Sequence, residues 1–369
     1  MLTDSRVIKQ AQILVTYSCK VKKGDNVLVA SDFEAKPLLL EVYKLLIQKG
    51  ANEVRFNTGS YEFSEIFFKN ASNDQINYFP QIAMDEMKKM DCYIGISSVT
   101  NTRGLSQIDA KNMSIRAKVV RPITDYRVEK TRWVITRFPT NAQAQEADMS
   151  LSDYSDFVFN AVNRVDWKKK FKEQETLRKL IDATKEVHIL GEETDLRLTI
   201  AGRKAENCAG EHNMPDGEVF TSVVEDSANG FISYSFPALY MGREYHDIRL
   251  EFRNGKVVKA TASKGEKDLN KILDMDSGSR FVGELGFGNN YQIKRFTKDI
   301  LFDEKIGGTI HIALGKGYKE TKSLNKSALH WDMIKDLRKS GPALRSLGEG
   351  GEIRFDDKVV QRNGKWVFN

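Results

Sequence analysis

The stretch VKKGDNVLVASDFEAKPLLLEVYKLLIQKGANEVRFNTG, residues 21–59, predicts the fold of the first half of the chain. Its first apolar run, at residues 26–30, is typical of a buried strand. Residues 34–50 then have the apolar spacing of a helix that ends at Gly50, and ANEVRFNTG follows as a second strand. A strand–helix–strand unit of this kind is typical of a parallel sheet with helical crossovers.

Two further apolar runs continue this alternation. MKKMDCYIGISS, residues 87–98, predicts a buried strand after a helix, and TRWVITRFP, residues 131–139, predicts another. No GxGxxG pattern opens the first helix, which disfavours a dinucleotide-binding fold. We therefore predict that residues 1–185 form an open α/β domain with a mainly parallel sheet.

The pattern changes in the second half of the chain, where apolar and polar residues alternate in short runs separated by turn residues. The runs are DLRLTIAGR (195–203), GEVFTSVVE (217–225), DIRLEFRNGKVVKATA (247–262) and GGTIHIALG (307–315). Asn254 and Gly255 predict a tight hairpin, because a type I′ turn needs positive φ at both positions. We expect residues 186–369 to form a mostly antiparallel β (α+β) domain, to which GEKDLNKILDM (265–275) and WDMIKDLRK (331–339) add helices.

The charge distribution does not indicate a nucleic-acid partner. Lysines and arginines give a formal net charge of +6, but acidic residues are interleaved with them. The densest basic stretch, WKKKFKEQETLRKL (167–180), alternates in sign along a predicted helix and has no accompanying base-stacking motif. A solvated helix face explains this stretch better than a nucleic-acid patch.

Cysteine content and hydropathy favour a cytoplasmic protein without a membrane partner. Cys19, Cys92 and Cys208 are far apart and odd in number, so they form neither a disulfide framework nor a CxxC metal pair. The first 20 residues contain an early acid and only a short apolar run, unlike a signal peptide. No stretch reaches the roughly 18 apolar residues that a membrane span needs.

Two histidine-containing segments are candidates for metal ligation. In a strand over TIHIALG (309–315), His311 faces away from the apolar stripe and lies among small neighbours. In SALHWDMIKDL (327–337), His330 and Asp332 share one face of an extended segment and offer a nitrogen and an oxygen ligand. The simpler alternatives are a structural role for His311, and an Asp332 that orients His330 or caps a helix starting there.

Two glutamates lie in surroundings where a free charge is costly. Glu218 starts a strand directly after a Pro-Asp-Gly turn, and Glu284 lies between glycines in GELGFGNN. Neither has a lysine or arginine beside it in sequence, so each needs a counter-charge from elsewhere. Two glutamates, two histidines and one aspartate are about the ligand set that two neighbouring divalent ions need, with one carboxylate bridging. These side chains form a metal site if they converge in space.

Four motifs in the second half occur in the order found in a known family. EHNMPDGEVFTS, ELGFGNN, GGTIHIALGKGY and NKSALHWDMI together resemble the signature of the thermophilic aminopeptidases, the dinuclear metallopeptidases that include aminopeptidases T and S. In the first half the resemblance consists of the general α/β pattern. It implies a metal-dependent aminopeptidase that releases N-terminal amino acids from peptides, and a homodimer whose active sites face an enclosed cavity.

The resemblance also implies roles for individual residues. Metal ligation is implied for Glu218, Glu284, His311, His330 and Asp332. Tyr318, seven residues after His311, matches an active-site tyrosine of the family. Two divalent ions, whether zinc, cobalt or manganese, would provide a hydroxide nucleophile at neutral pH. Glu218 or Glu284 is then a candidate general base, and Tyr318 a candidate hydrogen-bond donor to the oxyanion.

The sequence departs from this family between Tyr318 and His330. Only eleven residues, KETKSLNKSAL, separate the two, whereas some members carry a much longer loop there. Lys319 also stands where many relatives have proline. The departure concerns the substrate pocket and the placement of Tyr318, for which the alternative is a buried tyrosine bonded to backbone.

Two other functions would use the same residues differently. A mononuclear Fe(II) ring-cleaving dioxygenase would need only His311, His330 and Asp332, a set of two histidines and one carboxylate, and some pyridine-ring dioxygenases resemble this family. Such a site has no use for both Glu218 and Glu284, which therefore favour hydrolysis. A non-catalytic, metal-stapled peptide-binding protein is the other alternative, although closed structural sites are more often built from cysteine and histidine.

Overall fold

The computed structural model describes residues 4–338 and 350–368. A π-helical turn (Ile13–Ser18) follows the first helix, and a 3₁₀ turn (Phe33–Ala35) precedes the second. The α-helices are α1 (Ser5–Gln12), α2 (Lys36–Gln48), α3 (Tyr61–Asn70), α4 (Asn73–Asn77), α5 (Gln81–Met87), α6 (Ala110–Lys130), α7 (Asn141–Glu146), α8 (Leu151–Asn163), α9 (Trp167–Ala183), α10 (Glu266–Leu273) and α11 (Ile300–Asp303). Within the described ranges, none of these helices is both long enough and apolar enough to cross a bilayer.

The strands form one parallel and several antiparallel arrangements. They are β1 (Asn26–Asp32), β2 (Glu53–Gly59), β3 (Cys92–Ser97), β4 (Arg132–Arg137), β5 (Glu186–Gly191), β6 (Thr194–Thr199), β7 (Ala205–Cys208), β8 (Asn213–Met214), β9 (Glu218–Thr221), β10 (Asn229–Ser233), β11 (Ala238–Tyr240), β12 (Arg243–Tyr245), β13 (Arg249–Arg253), β14 (Lys256–Thr261), β15 (Val282–Gly288), β16 (Thr309–Gly315), β17 (His330–Asp336), β18 (Glu352–Phe355), β19 (Lys358–Arg362) and β20 (Lys365–Trp366).

The chain divides into two compact units. The first contains the residues up to Val165 and the segment Gly210–Pro215, and the second contains Asp166–Ala209 and the residues from Asp216 onward. Helix α9, which is the charged helix expected from the sequence, thus belongs to the second unit. The boundary suggested by the sequence, at residue 185, lies at the other end of this helix and stays a prediction.

A five-stranded sheet, in the order β2-β1-β3-β4-β8, forms the centre of the first unit, and every strand pair in it is parallel. The strand–helix–strand unit expected over residues 21–59 is β1, α2 and β2. Leu38, Val42 and Leu46 recur every four residues and give α2 one buried face. Gly50, with a φ of 77°, takes the left-handed conformation in which helices often end. The predicted α/β fold of this half is confirmed.

Two antiparallel sheets share one hydrophobic core in the second unit. One has the order β14-β13-β10-β6-β5-β18-β19-β20 and the other the order β17-β16-β15-β9-β7, while β11 and β12 pair separately. Leu196 and Ile232 contribute to this core from the first sheet, and Leu285 and Ile312 from the second. The predicted antiparallel β-rich half is therefore confirmed, and the face of the smaller sheet opposite the core is available for polar side chains.

Two local predictions in the second unit are also confirmed. Asn254 and Gly255 have φ values of 49° and 79°, and they join β13 to β14 as a hairpin. The helix expected over residues 265–275 is α10. In both cases the signal is local in sequence, which explains why it could be interpreted without knowledge of the tertiary fold.

The prediction of a second helix in this half is wrong. WDMIKDLRK (331–339) lies mainly in β17, which pairs with β16 along its whole length, and residue 339 falls outside the described ranges. Trp331, Ile334 and Leu337 recur every three residues and so resemble a helix face. The hydrogen bonds to β16 and burial in the core outweigh that local preference. No helix begins at Asp332, so this residue is not a helix cap.

Candidate metal centre

The five side chains predicted to bind metal lie on one face of the smaller sheet, on four adjacent strands. They are Glu218 on β9, Glu284 on β15, His311 on β16, and His330 and Asp332 on β17. The strand register explains the alignment, because Ala313 of β16 lies opposite both Glu284 and Asp332. Directly opposed residues project to the same side of a sheet. The assumption that these side chains converge is therefore met.

Short distances link the five side chains into a continuous cluster. His311 Nε2 lies 3.0 Å from Glu284 Oε1 and 3.5 Å from Glu218 Oε2. His330 Nε2 lies 3.9 Å from Glu284 Oε2 and 3.5 Å from Asp332 Oδ2. Glu284 thus connects two groups of three, one with Glu218 and His311 and the other with His330 and Asp332.

Both histidines are oriented by backbone carbonyl groups. His311 Nδ1 lies 3.2 Å from the carbonyl oxygen of Glu304, and His330 Nδ1 lies 2.7 Å from that of Lys316. A carbonyl oxygen can only accept, so each Nδ1 carries the proton and donates it. The Nε2 atoms, which face the carboxylates, are then free to act as ligands. This is the arrangement typical of metal-binding histidines.

The electrostatics of the cluster favour a positive charge inside it. Burial alone lowers the pKa of His311, but the hydrogen bond with Glu284 and the charge of Glu218 outweigh burial and raise that pKa to about 10. Burial raises the pKa of Glu218 to about 8, because its carboxylate is removed from water. A cation among these groups would relieve both effects.

Two buried carboxylate oxygens provide a direct test of whether these residues fit a metal ion. Glu218 Oε2 and Glu284 Oε2 have no hydrogen-bond partner in the part of the chain that the structure describes. Glu218 and Glu284 are only 5% and 4% exposed, so water does not readily compensate them. Together with His311, they offer ligand atoms that all lie within 4.8 Å of one another. The oxygen and nitrogen donors present therefore fit a divalent cation.

Gly286 makes room for the imidazole of His311. A Cβ atom at Gly286 would lie 2.0 Å from His311 Cε1 and 2.1 Å from its Nε2. This close approach involves the neighbouring strand, because Gly286 of β15 lies directly opposite His311 of β16. Any larger residue at this position would displace the ring from the cluster.

Glu304 and Lys305 also belong to the cluster, although they are not among the residues predicted from sequence. Lys305 is 0% exposed, lies 3.4 Å from Glu218 Oε1 and hydrogen-bonds to Glu304 Oε1. It supplies the counter-charge that Glu218 lacks in sequence, on the side of the carboxylate away from the oxygen that faces His311. An available signal was a charged Asp-Glu-Lys triplet placed just before two glycines and a buried strand.

Tyr318 lies at the edge of the cluster. Its ring centroid is 5.4 Å from that of His330 and 5.5 Å from that of Phe220. Burial and the nearby charge of Glu284 raise the pKa of its hydroxyl, so the group stays protonated and can donate a hydrogen bond. Within the described ranges this hydroxyl has no hydrogen bond to backbone, in contrast with the alternative considered for it.

Comparisons with known sequences identify relatives over almost the whole chain. The profile of the thermophilic metalloprotease family M29 matches residues 3–366. Aminopeptidase 2 from Geobacillus stearothermophilus is 24% identical over 420 residues, which cover 99% of this chain and 98% of that protein. The resemblance suggested by the four motifs is thereby confirmed.

Two solved structures share the fold. Wild-type AmpT from Thermus thermophilus superposes with a TM-score of 0.85 at 20% identity, over 99% of both chains. The 2,5-dihydroxypyridine dioxygenase from Pseudomonas putida KT2440 gives a TM-score of 0.63 at 14% identity, over 100% of this chain and 98% of that one. Since proteins named for different reactions have this fold, the fold alone does not decide the chemistry. The family profile, which spans nearly every residue, shows that this chain belongs to the M29 family of thermophilic metalloproteases.

Proposed function

We propose that the chain releases N-terminal amino acids from peptides at a site that binds two divalent metal ions. As a member of the M29 family with aminopeptidase relatives along its whole length, it is a metal-dependent aminopeptidase. The observation that supports two ions is that five ligand side chains converge as two groups of three sharing Glu284. Glu284 would help to hold both ions, because its two oxygens face different histidines.

The ligand set also limits which ions are candidates. Zinc, cobalt and manganese all accept mixed carboxylate and imidazole ligands. When bound, ions of this kind lower the pKa of water from about 16 towards 7 and polarise a carbonyl group. The protein would hold them through the Nε2 atoms of His311 and His330 and through three carboxylates, while the Nδ1–H groups keep both rings in place.

Proton transfer is assigned to the two glutamates. Glu218 and Glu284 have buried oxygens without hydrogen-bond partners in the described part of the chain. Either carboxylate would accept a proton from the attacking water through an oxygen that does not hold a metal ion, and would return it to the leaving amine. Lys305 holds the other oxygen of Glu218 and so fixes the orientation of that carboxylate.

Tyr318 is assigned to stabilise the oxyanion of the tetrahedral intermediate. Its ring lies at the edge of the cluster beside His330, its hydroxyl stays protonated, and 42% of the residue is exposed. Removing a single oxyanion donor typically costs about 3 kcal/mol of transition-state stabilisation. Tyr318→Phe should therefore lower kcat about 100-fold with little effect on folding.

Metal analysis combined with a panel of aminoacyl anilides tests the proposal. We expect two equivalents of metal per chain and hydrolysis of substrates with a free α-amine, but not of their N-acetylated counterparts. A single bound iron together with dioxygen consumption on a dihydroxypyridine would instead support the ring-cleaving alternative. Metal binding without any turnover would support a stapled binding protein.

We further propose that the protein is a cytoplasmic homodimer. Cys19, Cys92 and Cys208 are all free thiols, as expected in a reducing compartment. The homodimer is supported by the family resemblance alone. Size-exclusion chromatography with light scattering should give twice the 42.0 kDa mass of one chain, and a mass of one chain would contradict it.

A further inference from the structure

A cavity adjoins the candidate metal centre on the side of β17. Its volume is about 170 Å³, and His330 and Asp332 form part of its wall. The apolar side chains around it include Leu239, Tyr240, Phe296, Ile300, Trp331 and Ile334. A molecule held at the metal centre would therefore have direct access to an apolar space beside it.

Apart from the proposed ligands His330 and Asp332, the charged groups of this cavity already have partners. Lys298 Nζ lies 3.4 Å from Glu244 Oε1. Asp303 Oδ1 accepts hydrogen bonds from the backbone nitrogen of Thr297 at 2.8 Å and from its hydroxyl at 2.9 Å. A charged side chain entering the cavity would thus lose water without gaining a free ionic partner, which is costly.

The size of the cavity limits what it can accept. An apolar cavity of about 150 Å³ in another protein holds one benzene molecule. A volume of about 170 Å³ therefore suits a leucine, methionine or phenylalanine side chain, whereas the two fused rings of tryptophan need more room.

We infer that this cavity binds the side chain of the substrate's N-terminal residue and selects uncharged apolar side chains up to the size of phenylalanine. This inference rests on the proposed aminopeptidase function. In an aminopeptidase the α-amine and the scissile carbonyl lie at the metal centre, and the side chain leaves the carbon between them. His330 and Asp332 belong both to the proposed centre and to the cavity wall, so that side chain is directed into the cavity.

Two substitutions in the wall change the cavity in opposite directions. Phe296→Ala removes a ring that stacks on Phe236 with a centroid distance of 4.8 Å, and it enlarges the cavity. Ile300→Trp adds bulk at a residue that is 45% exposed, so the fold should tolerate it. Phe231→Ala, which removes a ring packed on Arg249 elsewhere in the same unit, and Val258→Trp, at a residue 52% exposed on β14, are the matched controls.

The test measures kcat/KM for leucyl, phenylalanyl, alanyl, lysyl, glutamyl and tryptophanyl anilides. We expect the wild type to prefer leucine and phenylalanine over the other four by at least about tenfold, since one methylene in an apolar pocket is worth about 10–200-fold. Phe296→Ala should raise kcat/KM for the tryptophanyl anilide about tenfold relative to the leucyl anilide. Ile300→Trp should lower kcat/KM for the leucyl and phenylalanyl anilides relative to the alanyl anilide. The two controls should keep the wild-type order.

Calorimetric binding of free L-leucine, L-phenylalanine and L-glutamate to the metal-loaded protein separates this inference from the proposed function. If the anilides are hydrolysed but neither wall variant changes the order of substrate preference, the cavity assignment is overturned and the aminopeptidase assignment stands. If leucine and phenylalanine bind, the wall variants weaken this binding and no anilide is hydrolysed, the cavity assignment is supported and the proposed function is overturned. A preference for lysine or glutamate in the wild type also overturns the cavity assignment.

Discussion

Glu284 is the residue on which the proposed centre depends most, because its two oxygens face different histidines. Oε1 lies 3.0 Å from His311 Nε2, and Oε2 lies 3.9 Å from His330 Nε2. Glu284→Gln keeps the shape but removes the charge and one ligand oxygen. We expect kcat/KM to fall at least about 100-fold, because several kcal/mol of charge stabilisation are lost.

The fold of Glu284→Gln should remain intact, as judged by circular dichroism and the melting temperature at a fixed metal concentration. Glu173→Gln is the control, since this glutamate of α9 has a side chain that is 49% exposed and pairs with Lys169 and Lys170. Retained activity in Glu284→Gln would remove this residue from the site.

Two buried lysines of the second unit provide a matched comparison. Lys305 is in ion pairs with Glu218 and Glu304, whereas Lys335 donates a hydrogen bond to the backbone carbonyl of Glu192 at 2.6 Å. Lys305→Met leaves the buried carboxylate of Glu218 and the partly buried carboxylate of Glu304 uncompensated, and should lower the free energy of unfolding by about 3–5 kcal/mol. Lys335→Met should be neutral or stabilising at pH 7. Urea denaturation measures both, and equal effects of the two changes would contradict the assigned role of Lys305.

The pH dependence of stability gives a second test at Lys335. Burial lowers the pKa of Lys335 from 10.5 to about 8, and the charges of Glu192 and Glu193 offset only part of this effect. Between these two values the unfolded chain holds more protons than the folded one, so stability rises with pH. Between pH 7.5 and 10.5 the free energy of unfolding of the wild type should rise by about 2–4 kcal/mol relative to that of Lys335→Met. A constant difference across this range would show that the pKa is not depressed.

At the scale of a single element, β17 shows which part of the site was predictable from sequence. His330 and Asp332 could be placed on one face because side chains alternate along any extended segment. The same segment was also interpreted as a helix, since its apolar residues recur every three positions and its partner strand lies elsewhere in sequence. Glu304 and Lys305 were missed for a related reason, because their contact with Glu218 depends on tertiary packing.

The segment that leads into β17 is fixed by the carboxylate of Asp276. It accepts hydrogen bonds from Ser327 Oγ at 2.8 Å and from the backbone nitrogen of Ala328 at 2.7 Å. It also accepts from the nitrogen of Gly278 at 2.9 Å and from Ser279 Oγ at 3.0 Å. Asp276 therefore connects its own loop to the strand that carries two of the proposed ligands.

Asp276→Asn should lower the free energy of unfolding by about 1–3 kcal/mol at pH 7, because donors remain that a neutral amide satisfies poorly. Burial alone would raise the pKa of Asp276, but the bonds from Ala328 and Ser327 outweigh it and lower that pKa from 3.8 to about 2. The contribution of the ionised Asp276 carboxylate to the free energy of unfolding is thus present above pH 3.8 and is lost as the pH falls towards 2. Urea unfolding at several pH values should show the difference between wild type and variant shrinking below pH 4.

Asp274→Asn is the control for this prediction. Asp274 lies in the same loop but pairs with Arg280 on the surface, so its substitution should change the stability less. If the free energies of unfolding of Asp276→Asn and the wild type differ by a constant amount down to pH 2.5, the ionised carboxylate of Asp276 is not the cause of the difference.

At the scale of the whole molecule, fold and chemistry were predictable to different extents. The parallel sheet of the first unit and the antiparallel sheets of the second follow from short-range patterns of apolar residues, and they are confirmed. The same fold occurs in AmpT and in a dioxygenase, so the choice between hydrolysis and ring cleavage depends on the site. Glu218 and Glu284 lie together with both histidines, and this full set favours the dinuclear assignment over a triad of two histidines and one carboxylate.

Removing the metal distinguishes a catalytic site from a structural one. The hydrophobic core of the second unit is formed by side chains from its two larger sheets and from helices α9 and α10. The proposed ligands project from the opposite face of the smaller of these two sheets. Treatment with a chelator should therefore abolish turnover while the far-ultraviolet circular dichroism stays unchanged. The melting temperature should fall, because an ion present at 100 times its Kd contributes about 2.7 kcal/mol to stability. Turnover should return when zinc, cobalt or manganese is added back, whereas cooperative unfolding on chelation would show that the metal holds the fold together.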